Sequence, residues 1–191
     1  MRRARVVEST VVWPRRAGPF ALATLAIGFL IAMAMSGRVR ESGQFVRFAP
    51  AGVLPDPPAA IDRVELGAAS RSWVFRRSPG GWRTEADARP VPLALATHLD
   101  GALKFLHVSG PIRVLERAEW SEHGLGEFGL DPPAYFATLF RDGRPVLRVA
   151  FGSENPQRVL QYLRVDGREQ VFVMSRSMGR EWEDVLAEAT R

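Results

Sequence analysis

Between Arg16 and Gly37 the chain runs through AGPFALATLAIGFLIAMAMS, residues 17–36, without a single charge. A helix needs about 20 apolar residues to cross a bilayer core roughly 30 Å thick, so the segment predicts one transmembrane anchor. A buried helix of a soluble domain would carry a polar, water-facing side, and this run lacks that punctuation. Pro19 falls in its first turn, where the missing N–H of proline is tolerated. Residues 1–16 form a basic head with five arginines and Glu8, whereas Arg38 and Arg40 behind the run are partly offset by Glu41. The positive-inside bias then keeps the N-terminus in the cytoplasm. The expected location is the inner (plasma) membrane, single-pass, with everything after residue 37 periplasmic or extracellular. The competing expectation is a signal peptide cut near Ala32-Met33-Ala34, but the run is longer than the roughly 7 to 15 residues of a signal core, which favours an uncleaved signal anchor.

Charge fits the same division. The 191 residues hold 26 Lys plus Arg against 21 Asp plus Glu, a net +5. Residues 1–40 contain seven of those basic residues and one acid, a net +6, which leaves the other 151 residues at −1. A near-neutral body has no long basic face to release counterions from phosphates, so no nucleic-acid partner is expected. Cysteine is absent, which removes disulfides, thiolate nucleophiles and Cys-ligated metal sites.

Residues 37–60, with Pro50, Pro55, Pro57 and Pro58, read as a semi-extended, Pro-rich linker. The body, residues 61–191, opens with an alternating strand at Ile61–Leu66, then strands at Arg71–Arg77 and Gly81–Glu85 around the turn Ser78-Pro79-Gly80. Pro92 is placed as the first residue of a helix whose stripe is Leu95, Leu99, Ala102, Leu103 and Leu106. A short strand at Ile112–Leu115 and a helical turn near Glu119 follow. Asp142-Gly143 and Asp166-Gly167 each separate two strand-like runs, a hairpin signal. A last helix, Met178 to Ala189, carries the stripe Met178, Trp182, Val185, Leu186 and Ala189. Ile61-Asp-Arg-Val-Glu-Leu-Gly67 resembles Val146-Leu-Arg-Val-Ala-Phe-Gly152, and each precedes two strands and a helix. The expected fold class is α+β: an antiparallel sheet with packed helices, in two similar strand-strand-strand-helix halves.

Catalytic patterns fail on context. Gly124-Leu125-Gly126-Glu127-Phe128-Gly129 spells a dinucleotide fingerprint, yet no buried strand precedes it and Asp131-Pro132-Pro133 blocks a following helix. His98 and His107 are nine residues apart and cannot share a helix face, so no metal pair is expected from them. His98, Asp100 and Ser109 supply the letters of a triad without a nucleophile elbow. Glu116, Glu119 and Glu122 read as a solvated acidic side of a short helix. No enzyme activity, catalytic residue, metal or cofactor is expected. Trp73, Trp82 and Trp120 are the candidate ligand or partner contacts, since aromatics are enriched in binding hot spots, although strand positions suit them for the core as well.

Phe128-Gly129-Leu130-Asp131-Pro132-Pro133 begins a series of phrases that resembles a bacterial family, the domain of unknown function numbered 4340. Val149-Ala150-Phe151-Gly152, Asn155-Pro156, Tyr162-Leu163-Arg164-Val165-Asp166-Gly167 and Val171-Phe172-Val173 continue it in order, and Gly81-Trp82 matches an earlier phrase. Phe128 stands where that family often has Tyr, and Leu163 where it has Val. The resemblance covers about Ile61 to Ala189. It implies a membrane-associated, extracytoplasmic module, in some relatives joined to the auxiliary subunit of a gliding-motility-type ABC transporter, and it transfers no catalytic residue. The expected function is thus a non-enzymatic, membrane-anchored interaction or assembly protein, with the lipid bilayer and a membrane or envelope protein as partners. The alternative is an envelope glycan- or lipid-binding protein, secreted after signal cleavage.

Overall fold

A computed structural model describes residues 23–30, 33 and 50–191. Residues 23–30 and 33 are helical (α1), with Leu25, Phe29 and Leu30 exposed. Among the described residues no helix is long and apolar enough to cross a membrane. Most of the span expected at 17–36, all of the head at 1–16 and the linker up to residue 49 lie outside the described residues.

From residue 50 onward the chain is α+β. Eight strands, β1 Arg63–Ala68, β2 Arg71–Ser78, β3 Gly81–Thr84, β4 Arg113–Leu115, β5 Tyr135–Arg141, β6 Arg144–Glu154, β7 Leu160–Val165 and β8 Val171–Ser175, form one sheet. Its spatial order is β3-β2-β1-β5-β6-β7-β8-β4, with every pairing antiparallel. Helices α2 (Leu93–Val108), α3 (Arg117–Trp120) and α4 (Arg176–Ala189) complete the set. Asp142 and Gly143 both take positive φ, 52° and 73°, as the two-residue turn between right-twisting strands requires.

Strand alternation sends one set of side chains to each face. Val64, Leu66, Phe75, Ala137, Leu139, Val149, Phe151 and Leu163 face α2 and α4 and belong to the main core. All five expected stripe residues of α2 are buried, as are Met178, Trp182 and Val185 of α4; Leu186 and Ala189 are partly buried. Pro92 is the N-cap of α2, one position earlier than expected, and its carbonyl accepts from Ala96.

Residues 50–60 depart from the linker expectation. Val53 and Leu54 are 3% and 1% exposed, and Pro58–Ala60 form a 3-10 turn. The N–H groups of Gly52 and Leu54 donate to the carbonyls of His107 and Leu106 at 2.9 and 3.0 Å. The last carbonyls of a helix have no partner within it. The segment supplies those partners while burying an apolar pair, so the body begins earlier than Ile61. A Cβ at Gly52 would lie 2.0 Å from the Leu106 carbonyl oxygen, which is why this close approach needs glycine.

Candidate functional site

The second face of the sheet is covered over only part of its width. Residues 115–130 cross β6, β7, β8 and β4, where Leu115, Leu130, Val171 and Val173 make a second buried cluster joined by Trp120, Leu125, Phe128, Leu160 and Tyr162. The segment is locked at Gly152. A Cβ there would sit 2.2 Å from the Phe128 carbonyl oxygen and 2.9 Å from Leu130 Cγ, so only glycine lets the chain lie against β6. Ser153 N–H then donates to that Phe128 carbonyl at 2.8 Å. The Phe128–Pro133 phrase and the Val149–Gly152 phrase are thus two sides of one contact. Gly124 and Gly129 have positive φ, and the Leu125 carbonyl accepts from Phe128 and Leu130, so the fingerprint-like glycines serve turns. The Asp131–Pro132 peptide bond is cis.

Where this cover stops, a groove of about 830 Å³ opens along β4 and the β7 end of the sheet. Its apolar floor includes Leu115, Leu160 and Val173, with Phe128 and Tyr162 in edge-to-face contact at 4.9 Å. Arg113, Glu119, His123, Glu127, Asn155 and Gln157 give it a polar rim. The rim is preorganised. Glu119 accepts from the Glu116 N–H at 2.9 Å and from Arg113 at 2.6 Å, and the Glu116 side chain accepts from Glu119 N–H in return, a capping box for α3. The Glu116 backbone bond, followed by the Arg113 bond, holds the Glu119 carboxyl below its ordinary range. Glu116 and Glu119 are therefore capping groups, where a simple solvated acidic side was expected. Asn155 Oδ1 accepts from Val159 and Leu160 N–H and so fixes the loop at the groove's other wall.

Groove and edge coincide. β4 is a three-residue outer strand, and edge strands present unpaired backbone groups. Ile112 is 62% exposed, Val159 58% and Val114 36%. At the opposite edge the chain covers itself: Arg83 bridges Pro90, Thr84 N–H donates to the Arg89 carbonyl, and Val91 N–H donates to the Trp82 carbonyl.

The three expected contact residues do not converge. Trp82 is 3% exposed in the main core, its Nε1 donating to Asp100 at 3.0 Å and its ring under the Arg77 guanidinium at 4.4 Å. Trp73 packs on the same core and borders a separate hollow of about 330 Å³ with Thr84 and Glu85. Trp120 lies on the other face, donating to the Glu169 carbonyl at 3.0 Å. The aromatic pair that lines the groove, Phe128 and Tyr162, appeared in the sequence only as parts of the family-like phrases.

The histidines also separate. His107 Nδ1 meets the Leu54 carbonyl at 3.0 Å, His123 stands on the groove rim, and His98 Nδ1 lies 2.9 Å from Glu181 on α4. His98, Glu181 and Asp184 bring one ligand atom each to within 4.8 Å of one another. Spacing along α2 could not reveal this, because the partners arrive from a helix more than eighty residues away. Searches against protein-family models, characterised proteins and solved structures return no match to this chain.

Proposed function

We propose that this chain is a non-enzymatic, single-pass membrane-anchored protein whose body, held outside the cytoplasm, is an interaction and assembly module, an accessory to an ABC transporter or another envelope complex. The observation that carries the reading is the groove beside β4: an apolar and aromatic floor, a fixed polar rim, exposed Ile112 in its lining, and exposed Val159 next in sequence to the lining residue Leu160. Contact surfaces of this make-up, apolar at the centre and polar around it, suit a segment of another protein. The uncharged run at 17–36 and the basic head support the anchor and its orientation. The resemblance over residues 61–189 supports the extracytoplasmic placement, and within it Gly152 and Leu130 have a structural task that accounts for their motif. The two strand-strand-strand-helix halves belong to the same reading, supported by β1–β3 with α2 and β6–β8 with α4 flanking β5. The alternative, a glycan or lipid binder, drew on a tryptophan-lined groove, and the tryptophans lie on two faces.

The test is site-specific photocrosslinking of the full-length chain in native membranes. Probes at Ile112 and Val159 are expected to capture one defined envelope protein, and a probe at Leu93, 84% exposed on α2, is not. Equal capture from all three positions would sink the groove. Protease shaving of spheroplasts checks the topology separately; a body that stays protected reverses the orientation.

A further inference from the structure

We propose that His98, Glu181 and Asp184 form a binding site for a divalent transition-metal ion of the zinc class, held across α2 and α4. The three side chains sit on two packed helices, a firmer base than loops. Glu181 and Asp184 are three residues apart on α4 and so share a face. Each lies next to a buried residue, Trp182 and Val185, while His98 is flanked by buried Leu99. His98 and Glu181 side chains are 31% and 23% exposed, half-buried beside solvent.

Two further observations separate this trio from ordinary surface charge. In an arginine-rich chain, the other α4 carboxylates have guanidinium partners: Glu183 with Arg176 at 2.5 Å and Glu188 with Arg191 at 2.6 Å. Among the described residues no arginine pairs with Glu181 or Asp184; Glu181 turns to His98 instead. Position 101 on α2 is glycine, and a Cβ there would lie 2.6 Å from Glu181 Oε1. The absent side chain makes the space in which the carboxylate reaches across to His98.

The donor set is one imidazole nitrogen and two carboxylate oxygens. Imidazole suits zinc, nickel, copper and iron, whereas calcium and magnesium favour all-oxygen shells. Metal–ligand bonds of about 2.0–2.2 Å place neighbouring ligand atoms roughly 3.4 Å apart. From the present spacing, side-chain movement on the order of 1 Å closes the shell. Three protein ligands leave a coordination position open to water or to a partner's side chain. A bound ion would tie the C-terminal helix to α2.

The probe is Zn²⁺ itself, titrated calorimetrically into the full-length chain, purified in detergent and stripped with chelator, with Co²⁺ absorption as a second readout. One saturable equivalent is expected, with a visible Co²⁺ spectrum and a raised unfolding temperature. Glu181→Gln and Asp184→Asn keep the side-chain shapes, and His98→Ala removes the imidazole. Each should cost at least the roughly 10- to 100-fold in affinity seen on losing an outer-shell partner. Glu188→Gln should change nothing. Absence of a saturable equivalent overturns the site, as does equal loss in Glu188→Gln. Unchanged binding in Asp184→Asn also overturns it, and leaves His98 and Glu181 as a hydrogen-bonded pair.

Discussion

The face of the sheet under α2 and α4 and the face opposite are made by the same strands, yet they are closed by different means. On the helix face two amphipathic helices lay continuous stripes over Val149, Phe151 and Leu163, and Trp182 is fully buried at their meeting with the sheet. On the other face an irregular segment, pinned by Gly152, shields β6 to β8. The remaining strands are covered by their own charged side chains. Arg63 joins Glu65 and Glu85 and stacks on Phe140 at 4.5 Å, Arg76 joins Glu85 at 2.5 Å, and Arg148 stacks on Phe136 at 4.4 Å. A helix pair can seal a whole sheet face because its stripe is wide and regular. A single loop seals only the width it crosses, and the groove lies at its border. One face thus carries the larger core, and the other leaves apolar surface open along the groove.

Substitutions can break this contrast. Trp182→Ala empties the helix-face core and should cost about 3–5 kcal/mol, read from the midpoint of urea unfolding. A loss below about 1 kcal/mol would mean the helices are not the main closure. Gly152→Ala forces the Phe128–Leu130 lock apart and should cost about 1–3 kcal/mol by the same measurement, the usual toll of overpacking. It should also weaken capture at Ile112, which Trp182→Ala cannot do selectively. An equal loss of capture in folded preparations of both variants would show that the faces are not separable.

Acid acts on the second face through Glu119. Its carboxyl pKa is depressed in the folded chain, so its stabilising contribution is complete above the ordinary value of 4.5 and fades as pH falls through the lower folded value. Glu119→Gln should therefore lower the unfolding temperature slightly at pH 7 and have no effect once the native carboxyl is protonated. A difference that persists in strong acid would remove the capping box as the cause. The smallest effect on stability is expected for Ile112→Glu, within about 0.5 kcal/mol because the site is exposed. Partner capture should nevertheless fall sharply, and capture unaffected by a charge at this position would take the groove out of the interface.

Much of the helix face was legible in the chain. The α2 stripe was read residue for residue, because a 3.6-residue period is written locally and needs no knowledge of what it packs on. The Asp142-Gly143 turn was legible for the same reason: the backbone conformation it demands is a property of two residues. Asp166-Gly167 instead lies in a longer loop between β7 and β8, where Gly167 has positive φ and Asp166 does not. Prolines misled at 50–60, since composition reports stiffness and not the presence of orphan helix carbonyls waiting for N–H donors. The sequence could not say whether the three tryptophans share one site, because ring chemistry does not say which face of the sheet a ring occupies. Phe128 and Tyr162 could have been found only by noticing that two phrases, one ending at Pro133 and one starting at Tyr162, must meet across β6.

Taken alone, the sequence determined the division of charge, an uncharged run long enough to span a bilayer, the α+β class and the strands and helices themselves. All of these depend on neighbours within a few residues. The tertiary structure alone decided which sheet edge stays open, where the groove runs, and that His98 faces two carboxylates of α4. Those are consequences of strand order and helix packing, and they join residues whose separation along the chain carries no local signal.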